Sequence, residues 1–505
     1  MDRRLTQNAE RLRFRIDATR CDGQGVCALV APELFGLDRY GLAYVIPGSQ
    51  ELADADPDVR ARGLEADALC PRNAIREDPA PPARPARATE AEAEADQETA
   101  DKPAEREALA PERRPRLLLE EPETVAGWRE RGGWADHDSA ALIDLVERAG
   151  ILGQGGAAFP AAAKWRRVVG AERPVVLANA AEREPGTVKD RYLTGSRPGL
   201  VLDGIRLSMA AVGADEAIIA VDEDATAEHD ALTAEITEAA RLGLLRGEIR
   251  VHKVPARYVA GEETSVISLL NGGPAIPRIR PPYPSDSGIG GRPTLVHNVE
   301  TLAQVALAAA LGAAEFRAEG LPEAPGTGLF SVGPFGGPAR LVERPLGYPL
   351  RALLAETGLL DGARAVLVGG YAGGLLPPDA FDTPLAPAPL AAAGAALGTK
   401  SVQVIGEHHC PVRVAAEITG YFGAESAGQC PPCSRGLPDM AALLAALEAG
   451  TAGAGTVTEL RGFMSTLSGR GVCRLPDGAA RVTLSLLSAF GDAVEEHLRG
   501  GCPLH

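Results

Sequence analysis

Apolar and polar positions change rhythm several times along this chain. Between about 140 and 325, short apolar runs alternate with stretches of helical spacing. PVVLANA (174–180) and EAIIAVDED (216–224) read as buried strands, whereas GLVLDGIRLSMAAVGA (199–214) and DALTAEITEAARLGLL (230–245) read as helices. Strand–helix–strand alternation predicts an α/β domain. After 326 the runs shorten. LFSVGPFG, RLVERPLG and AVLVGGYAGG read as strands separated by glycine and proline, with a helix at YPLRALLAETG between them, which predicts a small α+β module. From 412 onward VRVAAEITGYFG, LPDMAALLAALEAG, TVTELRGFMSTL and LSLLSAFGDAVEEHL predict four helices in a compact bundle. The stretch 79–116 is built from Pro, Ala, Glu and Arg. It lacks the apolar surface needed to fold and predicts a disordered linker. The expected organisation is 1–78, the linker 79–116, then 117–325, 326–403 and 404–505.

Composition narrows the function. The 505 residues carry 51 basic and 68 acidic side chains, a net charge of −17, which argues against nucleic-acid binding. The first twenty residues are polar, so no secretory signal is expected. No apolar run is long enough to span a bilayer. The expectation is a cytoplasmic protein that does not cross a membrane. In that reducing setting clustered cysteines act as metal ligands or catalysts more often than as disulfides. Eight cysteines fall at the two ends: three by position 70, none from there to 409, five after.

Cys21 and Cys27 lie in RCDGQGVCALV, and Cys70 precedes Pro71. An iron–sulfur cluster needs thiolates gathered by a tight glycine-containing loop. CDGQGVC supplies two, and Cys70 supplies a third. A four-iron ferredoxin would place another cysteine where Gln24 stands, so three thiolates match a three-iron cluster. At the other end, Cys430 and Cys433 in GQCPPCSRG and Cys473 in GRGVCRLP have metal-site spacing. Zinc would want a histidine there, and His408 and His409 are the closest upstream. The alternative is a Cys430–Cys433 disulfide. The roles of Cys410 and Cys502 stay open: a helix over 412–424 would hold Cys410 far from this motif, and Cys502 reads best as a free thiol near the end.

The cysteine-free middle carries glycine- and acid-rich motifs. ILGQGGAAFPAAAKW (151–165) has Gly153, Gly155 and Gly156, which allow close backbone approach to a phosphate or flat ring, and Lys164, which offers a charge. It is not a Rossmann fingerprint, since no strand directly precedes it. NAAEREPGTVKDR (179–191), RYVAGEETSV (257–266) with PRIRPPYP (277–284), and GRPTLVHNVETLA (291–303) follow in order. Seen alone, Glu262 and Glu263 would as readily be a solvated pair.

With these motifs in view, the chain from about 140 onward resembles the flavoprotein subunit of respiratory complex I, the NADH-binding 51 kDa family, with relatives in NAD-reducing hydrogenases and formate dehydrogenases. Residues 12–78 resemble the small single-cluster [3Fe-4S] ferredoxins that feed cytochromes P450, through CDGQGVC, APELFGLDRYGLAYVI and CPRNAI. The fold implied is multidomain α/β and α+β: a ferredoxin domain, an FMN-binding α/β domain, a β-grasp-like module and a helical bundle carrying an iron–sulfur site. The resemblance implies FMN contacts at Gly153, Gly155, Gly156, Lys164, Asn179, Glu182, Tyr258, Gly261, Glu262, Glu263 and Asn298. It implies that NADH lies over the flavin, with Phe159 and Tyr283 flanking adenine, Arg280 meeting polar groups, and Glu184 near the nicotinamide amide.

This chain departs from the family at several places. Leu152 and Gln154 replace arginines, Ala181 an aspartate, His297 an asparagine and Arg167 an aromatic. Arg280 and Arg167 leave NADPH open. Ala427 stands where the first of four bundle cysteines is usual, which leaves either a [4Fe-4S] cluster with an unusual ligand or a [3Fe-4S] form. The implied activity is NAD(P)H dehydrogenation: a hydride from NADH to FMN, then single electrons through the clusters to the chain's own ferredoxin domain and a protein acceptor. That acceptor could be a P450, a membrane flavocytochrome or a complex subunit. Two alternatives remain, an electron relay without NADH and a non-catalytic assembly subunit.

Overall fold

The computed structural model describes residues 12–79 and 116–502, which form two compact units divided at Pro115. The expected linker lies outside the described residues except at its two ends. Among the described residues no helix is long and apolar enough to cross a membrane.

In the first unit, β1 (Leu12–Ile16) pairs antiparallel with β4 (Ile75–Pro79), and β2 (Phe35–Leu37) pairs with β3 (Ala43–Val45). Helices Val26–Val30, Ser49–Ala55 and Pro57–Leu69 cover these ribbons. Phe14 and Phe35 meet edge to face at 5.9 Å in a core that includes Leu34, Val59, Ala66 and Ile75. So small a core is marginal by itself, which gives a bound cluster weight in holding the fold.

The second unit begins with a parallel sheet ordered β7 (Glu248–Val254), β6 (Glu216–Asp222), β5 (Val175–Ala180), β8 (Thr294–Asn298). β5 and β6 are almost wholly buried, as expected for strands covered by helices on both faces. Helix Pro198–Val212 is buried on nearly every side and packs against helix Val299–Leu311. They approach closely at Gly204, where a Cβ would stand 2.0 Å from the Leu302 carbonyl oxygen.

After two short strands, β9 (Gly320–Leu321) and β10 (Ala324–Pro325), comes a mixed five-stranded sheet. Its order is β12 (Arg340–Pro345), β11 (Thr327–Pro334), β15 (Ser401–Ile405), β13 (Ala365–Val368), β14 (Gly374–Leu376), with helix Leu350–Glu356 packed into its core. β11 and β15 run parallel and the other neighbours antiparallel.

Among the described residues the C-terminal region has five α-helices where four are expected: Pro411–Glu425, Leu437–Glu448, Thr456–Leu467, Leu475–Ala489 and Gly491–Leu498. The last expected helix starts earlier, at Leu475, and breaks at Phe490, whose φ of −126° and ψ of 39° are not helical. Both halves bury apolar side chains, Leu486 and Val494 among them, so the apolar pattern runs on across the break.

Candidate functional site

β5 and β8 lie side by side, and their last paired residues are Asn179 and Asn298. Ligands of open parallel sheets bind at the carboxyl ends of the strands. Asn179 Nδ2 donates to the Gly261 carbonyl at 2.8 Å. Asn298 Nδ2 donates to Asp190 Oδ2 at 2.6 Å and to the Asn179 carbonyl at 3.2 Å. Asn298 also caps helix Val299–Leu311 through Glu300 N. The glycine loop closes one side of the crevice. A Cβ on Gly155 would stand 3.2 Å from the Asn298 Cβ, and Gly156 has φ of +116°. The loop backbone is therefore bare where a flat polar ring or a phosphate would approach. Lys164, on helix Ala161–Val168, reaches Glu263 and the Val296 carbonyl, each at 3.3 Å. Arg280 meets Glu263 at 2.7 Å and Glu262 at 3.8 Å. Two cations, two amide side chains and an open glycine backbone form a donor set that fits a flavin phosphate and ring.

The glutamates divide by task. Glu262 is no solvated pair member: its carboxylate accepts from Thr264 N and Ser265 N and caps helix Glu263–Leu270, and burial pushes its pKa up. Glu182 accepts from the amides of Lys189, Asp190 and Arg191 at 3.0–3.1 Å, at the start of helix Lys189–Ser196. Burial, with the Asp190 charge adding, pushes it up to about 7 against Lys189 and those amides. Both carboxylates serve helix N-termini that face the crevice.

Glu184 is held between Tyr258 and Tyr371. The Tyr258 hydroxyl donates to it at 2.9 Å and the Tyr371 amide at 2.6 Å. Burial still pushes it up to about 7 from an ordinary value of 4.5. A carboxyl raised in this way holds its proton in the folded state after the unfolded chain has released it. Its contribution therefore falls as pH rises from about 4.5 to about 7 and stays low above that. We expect Glu184→Gln to gain stability relative to the wild type across that window and to level off beyond it, as read by urea unfolding at a series of pH values.

Beneath the glycine loop lies a buried ion network that motif reading missed. Lys189 Nζ meets Asp190 at 2.7 Å, Glu300 at 3.2 Å and Asn298 Oδ1 at 3.2 Å. Lys400 Nζ meets the same Glu300 oxygen at 2.9 Å and Gln154 Oε1 at 2.8 Å. All four charged side chains are buried. Burial opposes ionisation of Glu300, yet Lys400 and Lys189 hold it below its usual range. Only five lysines occur in the chain, and two of them meet here, which was the available signal. Gln154, where the family has arginine, anchors the loop to this network instead of reaching outward. His297, another departure, accepts from Trp165 Nε1 at 2.9 Å, and burial lowers it to about 3. It is a neutral core residue.

The bundle thiols adjoin this crevice. Cys430, Cys433 and Cys473 are all buried, and Cys430 shares a hydrogen bond with Cys433. Burial pushes Cys473 up to about 12 against an amide bond from Leu475, and the charges of Glu262 and Cys430 add to the shift. Gln429, beside Cys430, donates from Nε2 to the Pro277 carbonyl at 2.6 Å and ties the thiol loop to the PRIRPPYP segment. Helix Pro411–Glu425 fastens the two parts together. Its Glu425 accepts from Tyr258 N at 2.9 Å, and its Tyr421 hydroxyl donates to the Arg183 carbonyl at 3.3 Å. Tyr258 stacks edge-on against Tyr421 and Phe422 at 5.9 and 5.4 Å.

In the first unit Cys21, Cys27 and Cys70 line one cavity with Gly23, Gly25 and Pro71. The amides of Ala43 and Ala74 donate to the sulfurs of Cys21 and Cys70 at 3.4 and 3.3 Å. Both glycines have positive φ, +82° and +76°, so the loop can wrap its amides inward. This donor set fits a cluster. Gln24 is exposed, and its side chain meets Asp22 at 3.4 Å.

Cys502 does not stand alone: it lies beside Cys410 and His497. Cys410 stands at the start of helix Pro411–Glu425. Phe159 and Tyr283, expected to flank adenine, are 45% and 39% exposed, and the Arg167 guanidinium lies 5.0 Å over the Tyr283 ring. All eight cysteines are free thiols, so Cys430 and Cys433 are not joined.

Comparison with known proteins gives this geometry a class. Residues 146–307 match the Nuo51 FMN-binding domain. Residues 413–497 match the NADH-ubiquinone oxidoreductase-F iron-sulfur binding region, and residues 14–76 match a 4Fe-4S single cluster domain. These define an FMN and iron–sulfur oxidoreductase. The NADH-quinone oxidoreductase F subunit of Streptomyces coelicolor is 34% identical over 378 residues, which is 72% of this chain and 84% of that one. The corresponding F subunit 2 of Rhizobium meliloti is 33% identical over 405 residues, 77% and 96% of the two chains. The chain belongs to the family of NADH-quinone oxidoreductase F subunits. Its fold also matches the crystal structure of an air-oxidised NAD+-reducing [NiFe]-hydrogenase, with a TM-score of 0.67 and 33% identity over 72% of this chain. It spans 63% of that hydrogenase chain, less than two thirds.

Proposed function

We propose that this chain takes a hydride from NADH at FMN and passes single electrons through its bundle thiol site to its own N-terminal ferredoxin unit, and from there to a protein acceptor. Bound FMN takes up an electron pair and releases it singly, and iron–sulfur clusters carry one electron at a time. The observation that carries the proposal is the bond from Gln429 Nε2, beside Cys430, to the Pro277 carbonyl at 2.6 Å, which ties the bundle thiol loop to the PRIRPPYP segment of the crevice.

Gly153, Gly155, Gly156, Lys164, Asn179, Tyr258, Gly261 and Asn298 would hold the flavin. Glu182, Glu262 and Glu263 shape the surrounding helix ends and cations. Glu184, a carboxyl near 7 held by two tyrosine residues, would receive the nicotinamide amide. Phe159 and Tyr283 would take the adenine. Two observations support NADH over NADPH. Arg280 is already neutralised by Glu263 and Glu262, and Asp286 stands 4.0 Å from Arg167, where a 2′-phosphate would be repelled.

Three thiolates, with Gln24 turned outward, support a [3Fe-4S] form in the N-terminal unit. In the bundle, Ala427 supplies no thiolate, so Cys430, Cys433 and Cys473 would hold either a three-iron cluster or a four-iron cluster with another kind of fourth ligand. Anaerobic titration of the full chain tests the reading. NADH should bleach the flavin absorbance at far lower concentration than NADPH. Intact flavin absorbance that neither nucleotide bleaches would leave a relay between redox proteins, and absence of flavin would leave an assembly role without catalysis.

A further inference from the structure

We propose that Cys410, His497 and Cys502 form a zinc site, separate from both cluster sites, that clasps the C-terminal segment to the helix docked on the flavin crevice. Among the described residues this is the one set of three Cys, His, Asp or Glu side chains whose ligating atoms all lie within 4.8 Å of one another. Donors around a tetrahedral zinc, with bonds of about 2.3 Å to sulfur and about 2.0 Å to nitrogen, stand roughly 3.6–3.8 Å apart. Cys410 Sγ and His497 Nε2 are 3.2 Å apart, so a small outward shift admits the ion. The two cluster sets do not converge this tightly, as befits sites for several irons rather than one ion.

The imidazole is already set for coordination. His497 Nδ1 faces two backbone carbonyls, Leu447 at 3.1 Å and Glu448 at 3.0 Å. Carbonyls only accept, so Nδ1 carries the proton and the Nε2 lone pair points at the Cys410 sulfur. A second ring nitrogen tied to a carbonyl is the usual companion of a zinc-bound histidine. His497 is fully buried and Cys410 is 3% exposed, in a place where an ordinary polar cluster would gain little. Cys410 is the N-terminal cap of the fifteen-residue helix Pro411–Glu425. Two thiolates and one neutral imidazole select a borderline-soft divalent ion, zinc above the others in a cell, and leave one position for water.

Binding is a proton exchange. Zn²⁺ displaces one proton from each thiol, both protons leave to solvent, and Nδ1 keeps its own. The site's net charge matches that of two neutral thiols, so the buried pocket gains no uncompensated charge. The ion would join three places: the start of helix Pro411–Glu425, the helix Gly491–Leu498, and the segment after it. The far end of helix Pro411–Glu425 carries Tyr421 and Glu425, which touch Arg183 and Tyr258. The clasp thus acts on the helix that joins bundle to crevice.

The test uses the full chain, purified anaerobically, with zinc and iron measured by mass spectrometry. The expected result is about one zinc per chain, with an X-ray absorption edge fitted by mixed sulfur and nitrogen donors. The Cys410→Ser/Cys502→Ser double variant should lose the zinc while keeping wild-type iron and flavin, which also shows that it folds. The proposal is overturned if wild-type protein carries no zinc and retains none after incubation with zinc and gel filtration. It is also overturned if the double variant keeps its zinc, or if peptide mapping of fresh protein finds a Cys410–Cys502 disulfide.

Discussion

Glu300→Gln is expected to destabilise the flavin-binding unit by about 3–5 kcal/mol, the range for removing one partner of a buried ion pair. The glutamate is fully buried and a single oxygen faces both Lys189 and Lys400, at 3.2 and 2.9 Å. With glutamine in its place, four charged groups become three, and the excess positive charge has no water to screen it. The effect should reach the crevice, because Lys189 also holds Asn298 and Lys400 holds Gln154 of the glycine loop. Urea unfolding monitored by flavin release should show a lower midpoint with an unchanged slope. A conservative swap at an exposed pair such as Arg413 and Glu417 should shift the midpoint by less than about 1 kcal/mol. Equal effects at the two places would mean that the network is not what supports the loop.

Cys433→Ser is the second large effect. Serine is close in size and keeps the helix turn, but its hydroxyl is a poor iron ligand beside a thiolate. The variant should lose the iron held by the bundle and retain the flavin and the iron of the N-terminal unit. NADH should still bleach the flavin, while NADH-driven reduction of the N-terminal unit falls to background. The matching change in the other unit, Cys27→Ser, should leave the bundle's iron in place. Each set stands in its own compact unit, so the two losses should be independent. Iron analysis together with low-temperature EPR reads both.

These outcomes rest on parts of the molecule that differ in how visible they are in the sequence. The strands Val175–Ala180 and Glu216–Asp222 were legible because each is an apolar run buried on both faces and bounded by turns. Both cysteine sets were legible because cluster ligation needs thiolates at close spacing next to glycine or proline. The glycine loop was legible as chemistry but not as a place. Only the register of β5 against β8 shows that Asn179 and Asn298 lie side by side above it.

What stayed hidden was long-range. Lys189, Glu300 and Lys400 are spread over more than two hundred positions, and no local pattern joins them. Cys410, His497 and Cys502 are likewise far apart in sequence, and only the fold brings them together. The resemblance makes Glu182 and Glu262 flavin contacts. The structure gives their carboxylates backbone amides to hold at two helix starts, a role that spacing alone does not reveal.

Electrons are proposed to run from nucleotide through flavin and bundle to the N-terminal unit. The most direct measurement is an anaerobic NADH titration of the full chain followed by EPR at each step. The flavin should bleach and signals from both iron–sulfur sites should change with added NADH, the N-terminal change vanishing in Cys433→Ser. An N-terminal signal that stays unchanged while the flavin is fully reduced, or one that changes equally in the variant, would contradict that route.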